Sequence, residues 1–165
     1  MIEINIQPFG KVEDDILHYL TKKLELAGFK VHLLSPLSIP SRAWSMRREQ
    51  YNASQFLNKL RFHPALTLGI TDVDLFIPHL NFVFGVASME RKIALISIFR
   101  LRWGAEERKF KSRVIKEALH ELGHVLGLRH CSNPNCVMYF SNCLEDTDRK
   151  SAKFCPSCKE KIMPV

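Results

Sequence analysis

Residues 1–130 contain no cysteine, although the 165-residue chain has five. That absence excludes a disulfide framework distributed through the fold and confines any thiol chemistry to the last 35 residues. No run approaches the ~18 consecutive apolar residues of a membrane-spanning helix. The first ten residues, Met1 to Gly10, lack a basic segment followed by a long apolar one. No secretory signal is read there, and a cytoplasmic location is expected unless a prepeptide was trimmed. Repeats, low-complexity tracts and flexible linkers are missing too, and the length fits one domain with a small appended lobe. Basic stretches interleaved with aromatics, the usual mark of a nucleic-acid surface, are also lacking. The net charge of +7 is scattered, with local clusters at 42–48 and 107–116. It reads as solvated surface that favours acidic or extended substrates, with no nucleic-acid or membrane partner and a monomeric chain expected.

Against these absences stands one dense run, H-E-L-G-H-V-L-G-L-R-H, from His120 to His130. Residues four apart share a helix face, so His120 and His124 can grip one metal ion. Glu121 is turned about 100° from His120, too far for an obvious third ligand but close enough to lie beside a water on the metal. His130 could not reach the same side of the metal if the helix continued. Gly127 can adopt a positive φ, end the helix and bring His130 back. Three nitrogens with an open fourth position suit a catalytic zinc. The remaining histidines, His18, His32, His63 and His79, have no ligand spacing and read as surface or cleft residues.

Periodicity places the run. Residues 2–6 alternate as a strand, Lys11–Ala27 has helical spacing closed by Gly28, and Phe29–Leu34 is a second strand. A short helix over Ala53–Leu60 precedes strands at Ala65–Thr71, Asn81–Ala87 and Ile93–Phe99. The long helix, about Ala105–Leu126, carries one apolar arc for packing on the sheet through Phe110, Val114, Ile115, Ala118, Leu119, Leu122, Val125 and Leu126. His120, Glu121 and His124 fall outside that arc, with Arg113 and Glu117 in line. The order predicts an α/β (α+β) fold, a mixed twisted sheet packed with helices.

Cys131, Cys136, Cys155 and Cys158 pair as C-x4-C and C-x-x-C, the pattern of a four-thiolate structural zinc site. Disulfides and a redox dithiol are the weaker alternatives. Cys143 is the odd thiol, free or a competitor for the fourth position. Cys131 directly follows His130, so a second zinc would clamp the segment that presents the third histidine.

With Met138 two residues after Cys136, the chain resembles the archaemetzincins, a metzincin-like group of zinc metallopeptidases. The resemblance rests on His120, Glu121, His124, Gly127, His130, Cys131, Cys136, Met138, Cys155 and Cys158, and on Thr71–Leu75 and Asn81–Ala87 upstream. It implies a metzincin/zincin-like fold in which residues 1–127 form the sheet and active-site helix. Residues 128–165 would form a small zinc-stabilised subdomain with a Met-turn under the metal. It implies two zinc ions, one catalytic and one structural, and a peptide or protein substrate held extended along the strand near Asn81–Ala87. Glu121 would act as general base toward a zinc-activated water. Where some metzincins place a tyrosine two residues after the methionine, this chain has Phe140, and Tyr139 is adjacent.

Two competing readings differ in class. A zinc-containing peptide-binding protein would capture strands with little or no turnover, and a nucleic-acid binder would lose affinity steeply with salt. The spacing leaves endopeptidase or aminopeptidase action open; Asp72, Asp74 or Glu145 could hold a substrate amine in the latter case.

Overall fold

The computed structural model describes residues 1–60 and 63–162. Residues 163–165, the end of the expected C-terminal subdomain, lie outside the described residues. Strand β1 (Ile2–Phe9) leads through helix α1 (Asp14–Leu26) to β2 (Phe29–Leu33). Short strands β3 (Trp44–Ser45) and β4 (Gln50–Asn52) precede α2 (Ala53–Leu60). Strands β5 (Thr67–Thr71), β6 (Leu75–Phe76), β7 (Gly85–Ser88) and β8 (Ile93–Ser97) follow. The long α3 (Glu107–Val125) and the short α4 (Leu144–Arg149) and α5 (Pro156–Ile162) complete the chain.

The main sheet has the order β2-β1-β5-β8-β7. Its first four strands are parallel, and β7 runs antiparallel along one edge. Period-2 alternation splits β8 between two cores: Ala94 and Ile96 face α1 and α3, whereas Ile93 and Leu95 face α2. Because both faces are covered, β5 and β8 are buried throughout, the usual condition of central parallel strands. The sequence expectation of a mixed sheet between helices holds. The small second sheet, β3-β4-β6, is not legible in the sequence, because strands of two or three residues carry no period. The expected strand at Asn81–Ala87 shortens to Gly85–Ser88. Ahead of it, Arg48 donates to the Leu80 and Pro78 carbonyls and Gln50 to that of Asn81, so those carbonyls bond to side chains instead of a ladder. Among the described residues no helix is long and apolar enough to cross a membrane.

Helix α3 is capped by Glu106, whose side chain accepts from the Lys109 N–H. Its apolar arc is buried in the core as expected, with Ile115 and Leu119 at the flank that turns toward α1. The opposite face is also covered: Arg113, Lys116, Glu117, His120 and Glu121 are all buried. There Arg113 makes a two-pronged pair with Asp148 of α4, both bonds 2.8 Å, and donates to the Leu101 and Trp103 carbonyls. That pair holds the Asp148 carboxyl below its usual range. A folded-state depression contributes stability that is fully present above the unfolded carboxyl's pKa of about 4 and is lost as pH falls through the lower folded value. Asp148→Asn, at a site about a quarter exposed, is expected to cost about 2 kcal/mol at neutral pH, below the range for fully buried pairs. Urea unfolding at pH 7 and pH 3 checks this: the gap between the two proteins should narrow at the lower pH.

Candidate active site

Helix α3 ends where the sequence predicts. Gly127 has φ 95°, the Gly127 N–H donates to the His124 carbonyl (3.0 Å) and the Leu128 N–H to the Gly123 carbonyl (2.9 Å). These two bonds form a Schellman cap, which reverses the chain toward His130. The same turn presents the Leu128 carbonyl to His124 Nδ1 at 2.8 Å. His120 Nδ1 donates to the Val137 carbonyl, also at 2.8 Å. Both protons are thereby fixed on Nδ1, and both Nε2 lone pairs point inward.

Those two Nε2 atoms are 3.1 Å apart. Neither carries a proton to share, so the approach is repulsive unless a cation sits between them. Two nitrogens of a tetrahedral zinc site are separated by about 3.3 Å, close to the spacing observed. The third ring, His130, stands 4.9 Å from His124 and 5.3 Å from His120, centroid to centroid. One nitrogen of each ring lies within 4.8 Å of the others. Burial, with the Lys150 charge second, pushes His120 down to about 3; burial lowers His130 as well. His120 and His130 are thus neutral and free to bind metal at neutral pH. The triad fits a zinc ion.

Above it lies a cleft of about 500 Å³, with residues 81–85 on one wall and Phe140, Ser141 and Asn142 on the other. Glu121 and Glu117 lie on its floor with Lys150. Glu121 is buried directly against Gly85: a Cβ there would come within 2.7 Å of Glu121 Cγ and 2.9 Å of Oε1. Among the protein groups alone, burial and then the Glu117 charge raise Glu121 well above the ordinary carboxylate range. Glu117 is raised by burial too, against the pull of Lys150. Lys150 is only 2% exposed and donates to the Tyr139 carbonyl at 3.0 Å. Its 3.4 Å approach to His120 Nδ1 is a contact rather than a hydrogen bond, because that nitrogen already donates to Val137.

The sequence reading missed Gly85 and Lys150 as part of this site. Only Glu117 had a signal, four residues before Glu121 on the same helix face. Phe140 rests against His130, with ring centroids 4.9 Å apart, and it, not Tyr139, lines the cleft. Met138 is fully buried against Gly123 and makes a floor under α3. Asp72 and Asp74 are ruled out as holders of a substrate amine: Arg102 engages the first, Arg100 grips the second twice, and neither lines the cleft. Exposed Glu145 does not line it either.

Thirteen residues of chain separate the triad's last ring from the start of α4, and the four expected thiols meet around this return. Cys131, Cys136, Cys155 and Cys158 bring their Sγ atoms within 4.8 Å of one another. Cys131 and Cys155 are 3.8 Å apart, far beyond the ~2.05 Å of a disulfide. Backbone N–H groups of Asn133 and Cys155 point at the Cys131 and Cys136 sulfurs, which suits thiolate acceptors. Hydrogen bonding from the Cys158 backbone brings Cys155 down to about 7, whereas burial raises Cys158. Four soft donors in one cluster fit a structural zinc. Cys143 stands outside it, exposed beside Asp146.

A sheet-supported helix with convergent imidazoles and a buried glutamate, opening on a cleft beside an edge strand, defines a zinc metallopeptidase. Comparison with known proteins narrows the class. Residues 29–163 match Peptidase family M54, and the chain belongs to that family, whose members here are archaemetzincins. It is 42% identical to the archaemetzincin of Methanocaldococcus jannaschii, covering 98% of this chain and 93% of that one. The crystal structure of the Archaeoglobus fulgidus archaemetzincin with malonate superposes with a TM-score of 0.87 at 40% identity, over 98% of this chain and all of that one. The Methanopyrus kandleri archaemetzincin structure gives 0.87 at 36% identity, over 98% and 93% of the two chains.

Proposed function

We propose that this chain hydrolyses peptide bonds with Glu121 as the general base, on a zinc held by His120, His124 and His130. The observation that carries the reading is the 3.1 Å pair of unprotonated Nε2 atoms beside a buried carboxylate that faces an open cleft. Zinc in that position would supply a Lewis acid that polarises a carbonyl and acidifies water toward pH ~7. Glu121 accepts the proton of the attacking water and returns it to the leaving amine. Gly85, on edge strand β7, keeps the backbone close enough to hold the Glu121 carboxylate in one place, while its neighbours offer peptide groups to an extended substrate. Lys150 offsets the second carboxylate, Glu117, so that two acids can share one buried floor.

Cys131, Cys136, Cys155 and Cys158 hold the structural zinc in this reading, and residues 128–165 act as a lobe that fixes His130 and Met138. Four unbridged thiols suit a reducing compartment, which supports a cytoplasmic enzyme, and the reading needs only a monomer.

The test is cleavage of a peptide library, read by mass spectrometry, with the zinc-loaded chain and its Glu121→Gln variant. Cleavages present only with Glu121 support the reading; peptide capture without such cleavage favours a binding protein. The same data show whether cuts fall at chain ends or within. Gly85→Ala supplies a second check. Gly85 lacks a positive φ, so alanine fits the backbone, but its methyl group must push Glu121 aside. A fall in kcat of about 10–100-fold with unchanged zinc content is expected, in line with the cost of an ångström-scale misplacement. A variant with native kcat would remove Gly85 from the account.

A further inference from the structure

A second groove, about 490 Å³, lies on the back of α3. Ile115 and Leu119 form its floor, and at 100° per residue they sit about 140–180° around the helix from His124. It is therefore separate from the cleft. The C-terminal turns of α1 make one wall, and the segment from Ser151 to Phe154, with Lys159 of α5, makes the other.

The chemistry of this groove is uneven. Its floor of Ile115, Leu119, Ala152 and Phe154 is apolar, and Leu26 at the rim is 81% exposed. Around that floor stand Lys23, Lys153 and Lys159, and among the described residues no acidic side chain lines the groove. Among the described residues none of the three forms an ion pair. By contrast, Lys111 nearby is matched by Asp15 and Glu107. Tyr19, also in the wall, has the Lys23 ammonium 5.7 Å from its ring centre. Three unmatched cations around a recessed apolar surface focus a positive potential into it. A single exposed leucine is ordinary surface; an apolar floor ringed by three unmatched lysines is not.

We propose that this groove is an exosite for an acidic segment of the polypeptide substrate. One or two apolar side chains would rest on Ile115, Leu119 and Phe154, and flanking carboxylates would meet Lys23, Lys153 and Lys159. The shape argues against a nucleic acid, whose phosphates would leave the apolar floor unused, and the recess against a flat membrane. The groove is also wired to the metal site. The Lys153 carbonyl accepts from the Val137 N–H at 3.0 Å, and the Val137 carbonyl accepts from His120 Nδ1. Phe154 packs beside Met138 against Gly123 of α3. Since α3 with its side chains is about 10 Å thick, a substrate that fills both sites needs at least about three extended residues between its docking segment and its scissile bond. This deepens the peptidase reading and takes the nature of the occupant from it.

The test uses the zinc-loaded full chain carrying Glu121→Gln, so that binding is measured without turnover. A fluorescently labelled peptide, acetyl-Asp-Glu-Leu-Phe-Glu-Asp-amide, is titrated by anisotropy into this protein and into one that adds Lys23→Glu, Lys153→Glu and Lys159→Glu. These exposed changes leave the cleft intact. At least tenfold weaker binding to the charge-reversed protein is expected, together with a similar loss when Leu and Phe of the probe become Ser. Equal binding to both proteins overturns the proposal. So does equal binding of the Ser probe or of a single-stranded oligonucleotide of the same charge, since either means a general anion surface. With active enzyme, appending the segment to a cleaved peptide should lower KM at least fivefold and leave kcat unchanged, and the triple change should abolish that gain. An active native chain that cleaves peptides but neither binds the probe nor gains from the appended segment sinks this inference alone; a chain that binds the probe but never cleaves sinks the peptidase reading.

Discussion

Glu121→Gln is expected to lower kcat by about 10²–10⁴-fold, the usual contribution of a positioned acid–base group, with zinc content and KM close to native. Glutamine keeps the shape that fits against Gly85 but cannot take a proton from water. The neighbourhood makes a second expectation independent of catalysis. Glu121 and Glu117 are two buried carboxylates one helical turn apart, each raised by burial, with one ammonium, Lys150, opposite. Replacing one of two crowded acids by a neutral amide relieves repulsion, so the variant should melt no lower than the native protein. Steady-state kinetics, metal analysis and a thermal melt, run on one preparation, check all three. Turnover within tenfold of native would remove Glu121 as the base, whereas lost zinc would make it a ligand instead.

Much of this site could be read before any fold was known, because its chemistry is local. His120, Glu121 and His124 share two turns of one helix, and Gly127 ends it by a conformation that glycine alone adopts without strain. The thiols were equally legible, since paired spacings around a turn leave few other uses. The parts that escaped are those set by distant chain. Lys150 meets its partners from 30 residues beyond His120, and nothing in its neighbours' spacing marks it. Gly85 matters only because β7 lies against α3, a packing choice that no short pattern encodes. The same cause hid the small sheet, α4 and α5: elements of two to seven residues have too few positions for a period. Even the burial of α3 on its polar face follows from tertiary structure. A 3.6-residue period predicts which arc packs on the sheet but not that a second layer covers the other.

The paired change Cys155→Ser and Cys158→Ser carries the other large expected effect, because it acts on the histidines through the backbone. The four sulfurs tie α5 to Cys131 and Cys136, and the chain between those two cysteines and Met138 holds the triad from below. The Cys131 N–H donates to the Met138 carbonyl at 3.0 Å, beside His130. One residue earlier, the Val137 carbonyl fixes the Nδ1 proton of His120. Loss of two thiolates leaves the structural zinc without half its donors, and the binding energy of such a site is folding energy for a lobe this small. The segment then loosens where it orients two of three imidazoles. Removing groups that orient metal-bound histidines typically costs 10–100-fold in metal affinity, and that range is expected for the catalytic zinc. Metal analysis after dialysis against a weak chelator should show zinc falling from two per chain to below one, with activity partly restored by excess zinc. Cys143→Ser is the matched control: its thiol is exposed and outside the cluster, so zinc content and activity should not change. Retention of the catalytic zinc at native affinity in the paired variant would show that α3 and its Schellman turn alone position the histidines. The lobe would then be packing, not a clamp.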